Sequence, residues 1–282
     1  MDLVAFNVWL DEAFKWLYVL VILFLVVHFV AGILKGRFRM KFIEKKWPTH
    51  DHAPPVQPKL MHASHMLLMV LLGITGMYIR FPYFDDGRIA MRGLHYFAMI
   101  FVTVILVMRV WYAFKSKNAD WREFAVTRKD LASALGVLAY YGYFSDNKPH
   151  VAKYNVMQKL SYQLFLVMMV MMAFTGFALV TTPLIAGTSP RDWLVGWWLG
   201  ALVGSTDLAG WYMRMLHYIL NWGFIIMTTV HVYLSATEDI PVTLDFFGLK
   251  KLETVPSEHG HDGHEPDPDP VTAMSGSPAT AD

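Results

Sequence analysis

The sequence contains no cysteine among its 282 residues. Disulfide bonds, cysteine-held iron–sulfur clusters and thiolate ligation of a metal are therefore excluded, and any redox centre held by this chain needs histidine ligands. The sequence also lacks a glycine-rich phosphate-binding loop and an evident internal repeat. Acidic residues rather than a basic stretch precede the first apolar segment, so we expect no cleavable signal peptide.

Charged residues are scarce at 17%, whereas hydrophobic residues make up 55% and the mean hydropathy is +0.35. This composition is typical of an integral membrane protein. Five apolar windows each approach the roughly 20 residues that a helix needs to cross a bilayer. The predicted spans are residues 16–34, 65–81, 94–114, 160–181 and 211–235.

Two further segments are apolar and aromatic but too short to span. Residues 193–203 contain three tryptophans, and residues 131–144 end in a cluster of tyrosines. Tryptophan and tyrosine favour the level of the lipid headgroups. We therefore predict helices that lie in the membrane interface, one on each side.

The loops differ in their content of lysine and arginine. Residues 35–59 carry seven and residues 115–159 carry eight of the 24, whereas residues 80–92 carry three and residues 182–214 carry two. The positive-inside rule places the two basic loops in the cytoplasm. We predict a multi-pass protein of a bacterial or archaeal cytoplasmic (inner) membrane, with its N-terminus outside and its C-terminus in the cytoplasm.

His217 and His231 lie 14 residues apart in the fifth predicted span. Four helical turns take about 14.4 residues and rise roughly 21 Å, so both imidazoles face the same way near opposite edges of the ~30 Å hydrocarbon layer. A polar residue in that place is costly and is a functional candidate. One helix with this spacing can hold two cofactors at two depths, and haem is the expected cofactor.

His95 and His65 supply partners at the two depths. Under the predicted orientation, His95 lies at the outer level with His217, and His65 lies at the inner level with His231. Two imidazoles at each level suit six-coordinate haem b, which carries electrons because its iron has no open position. A hydrogen bond to a neighbouring helix is the usual alternative for a single membrane histidine, but two level-matched pairs favour two haems b.

Two other histidines compete with these ligands. His62 precedes His65 by three residues and shares its side of the helix, so it is a rival ligand or a contact for a haem propionate. The spacing alone does not choose between them. His28, in the first span, has no level-matched partner, and we predict that it is packed and hydrogen-bonded.

Three sequence runs carry a family resemblance. Residues 92–95 read Arg-Gly-Leu-His and lead to Met-Arg-Val-Trp-Tyr at 108–112, residues 231–234 read His-Val-Tyr-Leu, and residues 153–159 read Lys-Tyr-Asn-Val-Met-Gln-Lys. These runs resemble the b-type cytochrome subunits of membrane-bound nickel–iron hydrogenases and their relatives in formate dehydrogenase (the gamma subunit) and thiosulfate reductase. The second run is typical of the hydrogenase branch and the third of the other two. The resemblance covers roughly residues 59–241.

The resemblance implies four ligands of haem iron, and they fall on His65, His95, His217 and His231. It also implies a quinone pocket near the cytoplasmic haem, with menaquinone or ubiquinone as electron acceptor. This pocket falls on Asn155 and His231, with Tyr154 and Gln158 beside them at the start of the fourth predicted span. A helix N-cap is the alternative role for Asn155.

We therefore predict an all-α membrane protein, a five-transmembrane-helix bundle that binds two haems b. Its domains are an outer N-terminus (1–12), the dihaem cytochrome b domain (13–255) and a disordered cytoplasmic tail (256–282). The expected function is to pass electrons to the membrane quinone pool from an outward-facing hydrogenase, through an iron–sulfur subunit at the outer face. The alternatives are the equivalent subunit of a formate dehydrogenase or thiosulfate reductase type complex, and a haem-free anchor or proton-relay transporter.

Overall fold

The structure of the protein is a computed structural model that describes residues 2–50, 52–84, 86–149, 153–184 and 186–255. These ranges contain helices and no β-strand, which confirms the predicted all-α class. The predicted tail at 256–282 lies outside the described residues. A small second unit combines Thr49–Ala53 with the segment that starts at Glu253, and in it the Val255 N–H donates to the His50 carbonyl at 3.1 Å.

Eight α-helices follow one another along the described chain. They are α1 (Leu3–Leu34), α2 (Val56–Arg80), α3 (Gly87–Lys115), α4 (Arg128–Tyr141), α5 (Val156–Ala178), α6 (Ala201–Val203), α7 (Thr206–Glu238) and α8 (Ile240–Phe246). Five of them, α1, α2, α3, α5 and α7, are long and apolar enough to cross a membrane. The five predicted spans are therefore confirmed, and the protein is a multi-pass membrane protein.

Helix α1 starts at Leu3, well before its predicted start, because its acidic residues are paired. The Asp2 side chain accepts from the Val4 N–H and caps the helix. Further along, Asp11 Oδ1 accepts from Arg80 at 2.7 Å and from the Tyr218 hydroxyl at 2.6 Å. These long-range partners let the helix continue through a polar stretch that ends the apolar window in the sequence.

The two short apolar segments are helical, as predicted. Asp192–Gly200 forms a π-helical segment that runs into α6, and α4 occupies the other. On α4, Leu131, Leu135 and Leu138 are all exposed and recur at the spacing of one helix face. Exposed leucines on one face suit a helix in the membrane interface, and that position stays a prediction.

The spanning helices form two neighbouring pairs. Helix α2 packs mainly against α3, and α5 packs mainly against α7. Helix α1 lies along α7, where Phe14 stacks on Trp222 with ring centres 5.6 Å apart. The histidines that face each other lie on different pairs, because α7 of the second pair presents one histidine to α3 and another to α2 of the first pair.

Candidate haem sites

His95 on α3 and His217 on α7 face each other at the level that the predicted orientation makes the outer one, and the other level is called inner in the same sense. Their ring centres are 6.3 Å apart, with 70° between the ring planes. An imidazole–metal bond is about 2.0 Å long, so two imidazoles that bind one iron from opposite sides have ring centres about 6.3 Å apart. The structure thus brings together the two residues predicted for the outer haem, at a spacing that fits iron between them.

A threonine on the neighbouring helix holds each of these histidines. Thr75 Oγ1 on α2 lies 2.9 Å from His95 Nδ1, and Thr175 Oγ1 on α5 lies 2.8 Å from His217 Nδ1. Each threonine hydroxyl donates to the carbonyl four residues earlier in its own helix, at 2.7 and 2.8 Å. With the hydroxyl proton on that carbonyl, the threonine oxygen is an acceptor for an Nδ1–H, and this tautomer leaves the Nε2 lone pair for iron.

A glycine follows each of these threonines and lies against the same imidazole. A Cβ atom built on Gly76 would lie 3.4 Å from His95 Cε1, and one on Gly176 would lie 3.4 Å from His217 Cε1. The Thr-Gly dipeptide therefore repeats on α2 and on α5 with the same relation to a histidine. Sequence analysis missed this local repeat, although its signal was present as two Thr-Gly pairs inside two predicted spans.

At the inner level, His231 on α7 meets His62 on α2. The two ring centres are 6.4 Å apart, with 53° between the ring planes. Phe246 of α8 lies against His62 at 5.3 Å, and Phe165 of α5 lies against His231 at 5.9 Å. This spacing matches the outer pair and fits the same kind of ligation.

His65, the residue predicted to pair with His231, is not the one that the structure brings to it. Three residues turn a helix by about 300°, so the side chains of His62 and His65 point about 60° apart. His65 turns toward α3, where its ring lies near the backbone of Val102. Its Nε2 atom is buried and has no hydrogen-bond partner within the described ranges. The ring geometry therefore favours the rival ligand, His62.

His28 is packed and hydrogen-bonded, as predicted. Its Nε2 lies 2.8 Å from the Tyr141 carbonyl, and its Nδ1 lies 2.6 Å from the Tyr233 hydroxyl and 3.2 Å from that of Tyr143. Because a carbonyl only accepts, Nε2 carries the proton and Nδ1 accepts from a tyrosine. Both ring nitrogens are used, and the residue ties α1 to α7.

The residues predicted for a quinone site lie at the start of α5. Asn155 and Gln158 form a capping box, in which each side chain accepts from the backbone N–H of the other residue at 3.0 Å. Asn155 Nδ2 also donates to the Tyr141 hydroxyl at 3.3 Å. The Tyr154 ring stacks on Phe124 at 5.2 Å. The alternative role of Asn155, the helix cap, is thus realised in the structure.

These residues and the inner histidine pair lie at different depths. His231 meets α5 at Phe165, which is ten residues beyond Asn155 and therefore about 15 Å further along the helix axis. Within the described ranges, the ring contacts of His231 are with His62 and Phe165, and no hydrogen bond joins it to Asn155, Tyr154 or Gln158. Of the four residues predicted for the quinone site, Asn155, Tyr154 and Gln158 lie side by side, whereas His231 lies apart from them.

A buried ion pair fixes the start of α5 to α4. Lys159 Nζ lies 2.9 Å from Asp130 Oδ2, and the two side chains are 4% and 1% exposed. Thr127 donates to the same carboxylate through its backbone N–H and its hydroxyl, each at 2.8 Å. The Lys159 ammonium and these bonds hold the pKa of Asp130 below its usual range. Nearby, burial raises the pKa of Tyr154 to about 12, so its hydroxyl stays protonated.

Comparison with known proteins places these histidines in a family. Residues 55–245 match the family described as prokaryotic cytochrome b561. Two relatives are each 28% identical over 210 residues, which cover 70% of this chain and 84% of the relative. They are the probable Ni/Fe-hydrogenase B-type cytochrome subunits of Azotobacter chroococcum mcd 1 and Azotobacter vinelandii. No solved structure gives a significant match.

The matched range starts at α2 and contains both histidine pairs, whereas α1 precedes it. The resemblance to hydrogenase b-type cytochromes is thereby confirmed as a likeness. Membership explains why imidazoles stand opposite each other inside an apolar bundle, because a b-type cytochrome binds haem b. The chain belongs to the prokaryotic cytochrome b561 family.

Proposed function

We propose that this chain is the dihaem cytochrome b subunit of a membrane-bound nickel–iron hydrogenase complex and passes electrons to the quinone pool. The single observation that carries the proposal is the presence of two facing histidine pairs, at 6.3 and 6.4 Å. His95 and His217 would hold the outer haem b. His62 and His231 would hold the inner one. The names of the two relatives support a hydrogenase as the electron donor.

Haem would carry single electrons. The chain would hold the haem at a fixed depth and shield it from oxygen, substrates and water. Two histidines per haem would occupy the iron positions that oxygen or a substrate would need. Because His217 and His231 are 14 residues apart on α7, one helix sets the depth of both sites. Apolar side chains of the bundle would keep water out of the space between the two levels.

The proposed orientation puts the outer histidine pair toward an outward-facing hydrogenase. An iron–sulfur subunit would dock at the outer face, where Asp192–Gly200 exposes its three tryptophans. Reporter fusions after Asp2 and after Val255 test this orientation. We expect a signal outside for the first and in the cytoplasm for the second. Cytoplasmic signals from both fusions would contradict an odd number of crossings.

The quinone, menaquinone or ubiquinone, would bind at the cytoplasmic start of α5. An amide nitrogen has two protons, and Asn155 uses one of them on Tyr141. The second proton can be donated to a quinone carbonyl. The neutral Tyr154 phenol and its stacked partner Phe124 form an aromatic wall beside this amide. These residues would hold the quinone on the side of the bundle where His62 and His231 would hold the inner haem, which would supply the electrons.

The direct test is the haem content and the redox activity of the purified protein. We expect the pyridine haemochrome assay to give two haems b per chain. In the complex with its hydrogenase subunits, both haems should be reduced by hydrogen and reoxidised by a quinone analogue. One haem per chain would refute the pairing, and the absence of haem would restore the anchor or proton relay as the function.

A formate dehydrogenase or thiosulfate reductase type complex is the second candidate partner. The run at residues 153–159 favours it, because that run is typical of these branches. Co-purification of the chain with its partner subunits, followed by reduction with hydrogen or with formate, distinguishes the donors. Reduction by formate and not by hydrogen would replace the hydrogenase in this proposal while leaving the haem sites in place.

A further inference from the structure

We propose that Thr75 and Thr175 are positioning residues that fix the tautomers of the outer histidines and lower the reduction potential of the outer haem relative to the inner one. The inference rests on the proposed function, because it needs a haem between His95 and His217. It goes beyond that function because it assigns the two haems different potentials and names the residues responsible.

The geometry favours one hydrogen-bond arrangement at each threonine oxygen. Both side chains are fully enclosed, with Thr75 1% and Thr175 0% exposed, so water cannot replace their partners. Each hydroxyl has one proton, which it donates to a carbonyl of its own helix. While that proton is on the carbonyl, the oxygen can bond the nearby Nδ1 only by accepting a proton from it. A proton on Nε2 instead would set two lone pairs against each other and block the iron position.

This hydrogen bond changes the ligand as well as its orientation. An imidazole that donates its Nδ1–H to an acceptor carries more electron density on Nε2 and is a more basic ligand. A more basic ligand stabilises the oxidised iron over the reduced iron and so lowers the reduction potential. Since both outer histidines have a threonine acceptor, both ligands act in the same direction.

The inner histidines have a different environment. His62 and His231 lie against the rings of Phe246 and Phe165. In the part of the chain that the structure describes, neither imidazole has a hydroxyl partner like those at the outer level. The inner haem therefore has the higher potential. Electrons that enter at the outer face then move downhill toward the cytoplasmic side, which is the direction of the proposed function.

The test is a redox titration of the full-length purified protein after removal of each hydroxyl. Thr75→Val and Thr175→Val keep the shape of the side chain and remove the oxygen. The signal of the outer haem is identified as the one lost in His217→Ala. We expect each valine variant to raise the outer potential, the double variant to raise it further, and the inner potential to stay unchanged. Thr75→Ser and Thr175→Ser should keep the wild-type value.

Thr103→Val is the matched control. Thr103 on α3 donates to the Met99 carbonyl at 2.7 Å, the same bond to the carbonyl four residues earlier that Thr75 and Thr175 make. Among the residues that the structure describes, no histidine bonds to Thr103. An equal shift in this control, or an unchanged outer potential in both valine variants with haem retained, would overturn the inference. The valine variants could lose the outer haem altogether, and the serine variants then decide. Serine variants that keep the outer haem support the role of the hydroxyl. Serine variants that also lose the outer haem refute that role. A wild-type protein without an outer haem would instead overturn the proposed function itself.

Discussion

Replacing His62 by alanine should remove one of the two haems from the purified protein, whereas replacing His65 by alanine should leave both haems bound. The His62 ring centre lies 6.4 Å from that of His231, the spacing of two imidazoles on one iron. Without His62, the inner haem would keep only one of its two bonds from histidine to iron. The haem content per chain, measured by the pyridine haemochrome assay, should therefore fall to half in His62→Ala and stay at the wild-type value in His65→Ala.

His231→Ala is the matched comparison for this result. It should lose the same haem as His62→Ala, and the double variant should lose no more than either single variant. The haem that remains in all three should be the one that disappears in His217→Ala. If His65→Ala lost a haem and His62→Ala retained both, the pairing of His65 with His231 predicted from the sequence would be correct after all.

The bundle was predictable because its signals are local. Each spanning helix is a long apolar run, and an average of the hydropathy over about 20 residues detects such runs. That His95 and His217 lie at one level was predictable for a related reason. Helical rise converts the positions of His95 and His217 into depths, and the charges of the loops orient the helices that carry them. Neither step requires knowledge of how one helix rotates against another.

The inner ligand required that knowledge. His62 and His65 differ by less than one helical turn, so depth does not separate them, and the choice depends on the rotation of α2 about its own axis. In the structure, α2 packs against α3, and Phe246 of α8 lies against the His62 ring. Helix α8 is a seven-residue element after the last span, and no apolar window marks it. The contact between α8 and α2 is a tertiary contact, and the hydropathy pattern of the sequence does not predict it.

The threonines and the start of α1 were missed because averaging over a window hides single polar residues. Thr75 and Thr175 lie inside strongly apolar helices, where one hydroxyl changes the mean hydropathy little. Asp11 has the opposite effect, since its charge ends the apolar window although its partner Arg80 neutralises it in the fold. In each case the deciding partner lies on another helix.

Replacing Asn155 by serine should slow quinone reduction roughly tenfold while haem content and stability stay at the wild-type level. Serine caps a helix about as well as asparagine, so the capping box with Gln158 survives. Serine lacks the amide protons that we assign to the quinone carbonyl, and a lost hydrogen bond of about 1.4 kcal/mol in the transition state is a factor of ten in rate. Quinone turnover per haem, measured on one preparation, gives the result.

A second interaction, independent of Asn155, also holds the start of α5, so replacing Asn155 should not by itself displace this end of the helix. The buried pair of Lys159 and Asp130 anchors the same turn to α4. Because the pKa of Asp130 is lowered in the folded protein, its contribution to stability is present above the ordinary carboxyl pKa and is lost only as the pH falls through the lowered value. Assays at about pH 6 to 8 therefore leave this anchor intact.

Asn155→Ala and Tyr141→Phe separate the two roles of the amide. Alanine removes both the cap and the donor, so it should slow quinone reduction as much as serine does and should also cost about 1 kcal/mol of stability. Phenylalanine at 141 removes the hydroxyl that accepts from Asn155 Nδ2 and leaves the amide in place, so quinone reduction should continue. If serine gave full turnover and alanine alone lowered stability, the amide of Asn155 would have no part in quinone reduction and the residue would be a helix cap. Serine reproduces the capping oxygen but not the amide NH2 group.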